Sequence, residues 1–451
     1  MNRRATFLCI LFVLVRVAPL AAQDAKPATP RRITLEEAVQ SALKHNHVVR
    51  IAALKVEEKE HTKNIARSAY FPILRNDSNL AQVTDTQFIG IPAGTLGTVS
   101  GTAIPETTAI LNQGGHTFVT SGTQLTQPLT DLWKIRAAND IAAAELNATQ
   151  SKQHQTENEV ALRVHQIYYR ILIVQSHREA AQARIQASED LQKERVQQVK
   201  YGSTLEEEAI ESRAQSLEAR QDLLTTELQL SDLTMQLDDA MGLPLTTRLV
   251  LDASVRQAGD SCKREECLRV ALEAHPEIVE ARAEIEKASA AVRLAKRQYL
   301  PDVEAFARYS YQDNVPFLAR NFGTFGVHFG YDLFDGGRRS AAIGEHKAQL
   351  AQAEENLARI KEEVELRVET AYNKLERTRQ MTKVSEELLA LRVESRRVFV
   401  QQIKEGTALQ SQVDSATAHE LDAKTLLLQS QLDYIQAEDE MTEAMGIAPV
   451  D

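Results

Sequence analysis

The chain is written twice, and that duplication limits its fold more than any single motif does. A shift of 204 residues lays QQVKYGS (Gln197–Ser203) on QQIKEGT (Gln401–Thr407), and Ala240-Met241-Gly242-Leu243 on Ala444-Met445-Gly446-Ile447. No gap is needed from Gln124 to Leu243. Upstream the shift is 229, which places Ala42-Leu43 on Ala271-Leu272 and Tyr70-Phe71-Pro72 on Tyr299-Leu300-Pro301. The difference of 25 residues is extra sequence in the first copy between Pro72 and Gln124. That segment is rich in Gly, Thr and Pro, is nearly uncharged, and reads as a long loop.

Each copy predicts the same order of elements. A helix (35–69; 265–298) leads into a Pro-started strand (73–83; 302–312), then a loop and a second strand (116–129; 322–334). A very long helix follows (134–200; 338–404), and after a Gly a shorter helix returns (205–241; 409–445). The first copy then occupies 23–244 and the second 265–451, with 245–264 as linker. The fold class is mainly α with a small β part.

Residues 1–22 read as an export signal. Arg3 and Arg4 precede an apolar run, and small residues lead to Gln23. Its removal takes three arginines and makes the formal net charge of −11 still more negative, which argues against nucleic-acid binding. Cys9 leaves with the signal. Cys262 and Cys267 remain, five apart, and in an exported chain they predict a local disulfide. Two thiols without a nearby His make a poor metal site, so no metal is expected.

The long helices are the first constraint on assembly. Arg338–Lys404 has no Pro and one Gly, Gly344, and at 1.5 Å per residue would reach about 100 Å. Leu350, Ala353, Leu357, Ile360, Val364, Val368, Ala371 and Leu375 recur every three or four positions as a coiled-coil-like seam. Such a rod needs the returning helix and neighbouring chains to cover it.

The strands are the second constraint. Phe325, Val327, Phe329, Tyr331 and Leu333 alternate with Gly326, His328, Gly330 and Asp332. This is the pattern of a strand with one face in an apolar medium and the other in water. After the signal, no apolar run is long enough for a membrane helix, so membrane entry is by strands of a closed barrel. Tyr70, Tyr299, Trp133 and Phe334 fall at the helix-side ends of the strands, where an interfacial aromatic belt is expected. Four strands do not close a barrel. Two chains give eight and three give twelve, and the pattern does not choose. Asp335, Gly336 and Gly337 then read as the strand-to-helix hinge, with the glycines taking positive φ and Asp335 capping the helix start.

The duplicated plan, the Tyr-x-Pro strand entries, LFDGGRR and the Gly-centred helical turns together resemble the TolC-type outer-membrane efflux protein family, over about 33–449. The resemblance implies a homotrimer whose twelve strands form one barrel in outer-membrane lipid, continuing into a periplasmic α-helical barrel. It implies a passive exit duct that docks onto a periplasmic adaptor (membrane fusion) protein and an inner-membrane pump of RND or ABC type. The family's tip-turn glycines fall on Gly202 and Gly406, with adaptor contact expected there. Acidic constriction residues six and nine places on fall on Glu208 and Glu211. The second copy departs, with Gln412 and Ser415 at those places and Asp414 between them, and with Ala408 and Ile403 where the gate lock of other members has Arg and Tyr. Drugs, metals and proteins all stay open as cargo. An exported coiled-coil scaffold or adhesin is the alternative function. No nucleophile arrangement, phosphate loop or cofactor motif points to an enzyme.

Overall fold

The computed structural model describes residues 31–85, 88–112, 116–245, 247–252, 262–315 and 319–448. The expected signal (1–22) and most of the linker (253–261) lie outside the described residues. The elements of the first half are β1 (Arg31–Ile33), α1 (Leu35–His45), α2 (His47–Ser68), β2 (Ile73–Gln82), β3 (Phe88–Ile91), β4 (Thr98–Val99), β5 (Thr102–Ala103), β6 (Ala109–Asn112), β7 (Thr117–Pro128), α3 (Leu132–Lys200) and α4 (Glu206–Ala240). The second half adds β8 (Leu249–Leu251), α5 (Arg264–Ala274), α6 (Pro276–Arg297), β9 (Asp302–Asp313), β10 (Asn321–Gly330), α7 (Arg338–Lys404) and α8 (Gln410–Ala444).

Three features differ from the sequence reading, each for a local reason. The leading helix of each half is broken in two, at Asn46 and His275, both with ψ near 130°. Each side chain caps the helix that follows: Asn46 accepts from the Val48 amide at 2.8 Å and His275 from the Glu277 amide at 3.2 Å. Pro276 further bars its predecessor from helical backbone. Second, β10 stops at Gly330, so Tyr331–Phe334 lie outside the ladder. Its partner β9 begins at Asp302, opposite Gly330, and the preceding Pro301 has no N–H with which to extend the pairing. Third, the segment expected as a plain loop holds two short antiparallel ladders, β3 with β6 and β4 with β5.

The halves interleave through one antiparallel sheet in the order β10-β9-β7-β2, with β7 from the first half pairing β9 from the second. The long helices follow a matching order. Helix α4 lies on α3, α3 on α8, and α8 on α7. Two apolar cores sit between the helices. One gathers Tyr168, Ile171, Leu237 and Leu432 near the β1–β8 pair; the other gathers Cys267, Ile278, Val364, Val368 and Met441. Neither core includes a residue of the four-stranded sheet. Each return helix ends in a glycine turn that seats in the break of a leading helix. At Gly446 a Cβ would lie 2.5 Å from Pro276 Cδ and 2.8 Å from His275 Cα, so only glycine fits there. Among the described residues, no helix is long and apolar enough to cross a membrane.

Candidate functional site

The sheet register sorts its side chains onto two unlike faces. One face holds Leu74, Leu80, Val119, Leu125, Val303, Ala305, Ala307, Tyr309, Phe325, Val327 and Phe329 along with Asn, Ser, Thr and Gln. Its one charge is Asp313, the last residue of β9, ion-paired to Arg320 at 3.0 Å. The opposite face holds Arg75, Asp77, Asp302, Glu304, Arg308 and His328. Phe325, Val327 and Phe329 are 87%, 63% and 66% exposed, so among the described residues nothing covers this part of the apolar face. The polar side chains on it satisfy one another: Asn76 donates to Thr123 at 2.8 Å, and Ser78 and Ser121 lie 2.9 Å apart.

The sheet also has two open edges. Strands β2 and β10 each pair on one side only, which leaves a row of backbone donors and acceptors unmatched. The four strands alternate in direction across the sheet, so β2 of one copy beside β10 of another continues the antiparallel order. Ten residues at about 3.3 Å rise, tilted about 40°, span about 25 Å, the height of a membrane barrel's apolar band.

Below the sheet, the hinge residues lie together. Gly336 and Gly337 have φ of 64° and 89°. Gly337 is the residue at the start of α7, and Asp335 accepts from the amides of Gly337 (3.0 Å) and Arg339 (3.1 Å). Arg339, which sequence reasoning passed over, is the centre of the hinge. Its Nε donates to Asp335 at 2.6 Å, its Nη2 reaches the Asp332 carbonyl, and its guanidinium lies 5.0 Å and 5.2 Å from the ring centres of Tyr299 and Tyr331. The hydrogen bond from Arg339 holds the Asp335 carboxyl down at about 2. Of the aromatics expected as a belt, Tyr299, Trp133 and Phe334 are exposed and Tyr70 is half-buried, and Tyr299 also joins this stack.

At the far end, both tip turns are Schellman motifs. Gly202 (φ 69°) donates to Val199 and Ser203 to Gln198; Gly406 (φ 73°) donates to Ile403 and Thr407 to Gln402. Side chains at both glycines would meet open space, so their requirement is the positive φ and not crowding. Glu208 pairs with Arg195 at 3.0 Å across the first turn, Glu211 accepts from Gln215 at 3.4 Å, and Asp414 accepts from Gln410 at 2.9 Å. The three acids sit near the tip but make no bond with one another. Gln412 and Ser415, the second-copy counterparts of Glu208 and Glu211, line a cavity of about 620 Å³ with Arg195 and Glu194. In the same lining, Arg184 of α3 holds α4 through Asp222 and α8 through Asp422, both at 2.8 Å. Higher still, the buried His165–Asp439 pair, 2.7 Å apart, joins α3 to α8. The Arg184 and His165 pairs have no sequence signature, because each joins residues more than 35 apart with no repeat-related counterpart. Cys262 and Cys267 form a disulfide with Cα atoms 5.9 Å apart. Among the described residues, no three His, Cys, Asp or Glu side chains gather as a metal site.

Among curated proteins, none matches this chain. Several solved structures share its fold at low identity. The outer membrane protein VceC of Vibrio cholerae is 16% identical with a TM-score of 0.71, over 92% of this chain and 97% of that one. The CmeC outer membrane channel of Campylobacter jejuni is 14% identical with a TM-score of 0.74, over 91% and 85%. The MtrE outer membrane channel of Neisseria gonorrhoeae is 15% identical with a TM-score of 0.70, over 92% and 89%. The family model described as outer membrane efflux protein matches residues 38–243 and 267–447, one stretch in each half. The chain therefore belongs to the outer membrane efflux protein family.

Proposed function

We propose that three copies of this chain form an outer-membrane exit duct that passively conducts substrates delivered by an inner-membrane pump through a periplasmic adaptor. One observation bears most of the weight: the sheet presents an apolar face, charged only at the β9 end by Asp313, and a charged face, has two open edges, and contributes to no core. In water such a sheet exposes aromatic side chains and unpaired backbone. Closed with its copies in lipid, it satisfies both.

The helices support the same closure. On edge helix α4, Ile210, Leu217 and Leu224 recur every seven residues and are exposed; on edge helix α7, Val384, Leu391 and Val398 do the same. The two stripes lie at equal heights above the tips when α4 and α7 run antiparallel, so that Leu217 stands level with Leu391 and Leu224 with Val384. Applying the 204-residue shift to the chain's own α3–α8 contact generates this α7–α4 contact between copies. The seam is then a second edition of an interface the chain already contains. The scaffold reading accounts for the helices but leaves the two-faced sheet without a purpose.

Gly202 and Gly406 are the adaptor-facing turns in this reading, and Glu208 and Glu211 supply any acidic ring, with Asp414 as the second copy's nearest substitute. Purified protein in planar lipid bilayers tests the duct. Discrete cation-carrying steps that grow when Glu208 and Glu211 are changed to Ala are expected. Silent membranes for both wild type and variant contradict it.

A further inference from the structure

The geometry points to a transit site for aromatic organic oxyanions on the charged face of the sheet, built on Arg308; it rests on the duct reading above and names a cargo class for it. A concavity of about 650 Å³ lies over this face, with Arg308 in its lining beside Gln124, Ser310, Thr324, Phe306 and Phe322. The register places Arg308 between Gln124 and Thr324 in one row across the strands.

The guanidinium has a made place. It lies against the backbone of Gly122 on the neighbouring strand, where a Cβ would sit 2.7 Å from Nη2 and 2.9 Å from Nε. Any side chain at 122 would push it off the sheet.

Its charge is not spent within the chain. Among the described residues Arg308 forms no ion pair, while two of the three acids of this face are paired elsewhere. Arg75 holds Asp77 at 2.9 Å, and Asp302 is taken by Lys134. Glu304 lines the same concavity, its Cα about 13 Å along the strand at the β rise, and forms no ion pair with Arg308. The concavity also takes in Asp77, which Arg75 holds, and Glu304, but the side chains flanking Arg308 across and along the strands are neutral: the hydroxyls of Ser310 and Thr324 and the Gln124 amide, which already donates to Thr126.

The ligand class follows from these groups. A guanidinium with free N–H donors takes a planar oxyanion in a two-pronged hydrogen bond, and it repels a free metal cation. Phe306 and Phe322 give the same concavity apolar walls on either side of the Arg308 row. The Phe306 ring is laid flat by Gly326, whose Cβ would stand 3.2 Å from Cζ. Carboxylate or sulfonate joined to an aromatic ring satisfies both halves. Because Arg308 is exposed, the site holds such a molecule weakly, as passage through a pore requires. Three copies set three of these sites at one height.

The test uses purified full-length oligomer in planar bilayers, with gradients of potassium benzoate and of potassium acetate. Wild type is expected to pass benzoate more readily than acetate. Arg308→Gln should lower benzoate permeability relative to potassium by about three- to tenfold, the worth of one exposed charge-assisted bond, while Arg308→Lys should lose less. Equal reversal potentials for wild type and Arg308→Gln overturn the site. Should Arg308→Gln fail to assemble, wild type decides alone. Block of chloride current by benzoate at about tenfold lower concentration than by acetate supports the site, and equal block overturns it. A wild type that conducts without preferring benzoate sinks this inference and spares the duct; a wild type that does not conduct sinks the duct itself.

Discussion

At the residue scale, chemistry is concentrated where the chain turns or where helices from the two halves meet. Asp238, fully buried near the end of α4, shows how such a place is tuned. Burial pushes its carboxyl up to about 6, against a smaller opposing pull from the Thr247 amide. A folded-state value above the unfolded one means that the neutral acid is the favoured form. The stability it contributes is complete below about pH 4 and is lost as pH rises through about 6. Asp238→Asn, neutral at every pH, should raise Tm by about 2–5 °C at pH 7.5 and leave it unchanged at pH 4. Thermal melts followed by circular dichroism at both pH values check this, and equal shifts at the two would refute it. Residue-level features were the least legible in the sequence. Asp335-Gly336-Gly337 stood out because Gly pairs and an Asp in a strand-to-helix corner have a backbone meaning of their own. Arg339, two residues on, did not. Its role depends on Tyr299 and Tyr331 arriving from elsewhere in the chain.

At the scale of elements, periodicity was the readable signal. The 67-residue α7 begins and ends where a Pro-free run of helix formers, interrupted by Gly344, begins and ends. The leading helices were read as continuous because nothing in a hydrophobic pattern announces that Asn46 and His275 will cap a second helix. The overlong reading of β10 has a similar origin. Tyr331 and Leu333 keep the alternation going after Pro301 has ended the ladder on the partner strand. The two faces of the sheet make opposite demands on a substitution. Phe325, mid-strand on the apolar face, should tolerate no charge: Phe325→Arg is expected to cost about 2–4 kcal/mol per strand and to deplete folded protein from outer-membrane fractions. Thr324→Arg, one residue away on the charged face, should leave that yield near wild type. Heat-modifiable migration on gels measures both, and equal losses from the two variants would contradict the assignment of faces.

At the scale of the whole molecule, the chain is an unfinished object. It ends on both sides in edges, β2 and β10 in the sheet and α4 and α7 among the rods, and each edge resembles a surface that the chain has already matched internally. The duplication in the sequence foretold this, since two like halves joined side by side leave one half-interface open at each flank. The number of copies that closes the ring was not legible, because it depends on the angle between neighbours and not on which residues face each other. The most direct test is the covalent closure of the helical seam. In Leu217→Cys/Leu391→Cys protein, mild oxidation should join α7 of each copy to α4 of the next. The expected product is a species of three chains on non-reducing gels, absent from either single variant and collapsed by reductant. Double-variant protein that stays a single chain after oxidation, although folded and membrane-inserted, would contradict the closure on which the duct depends.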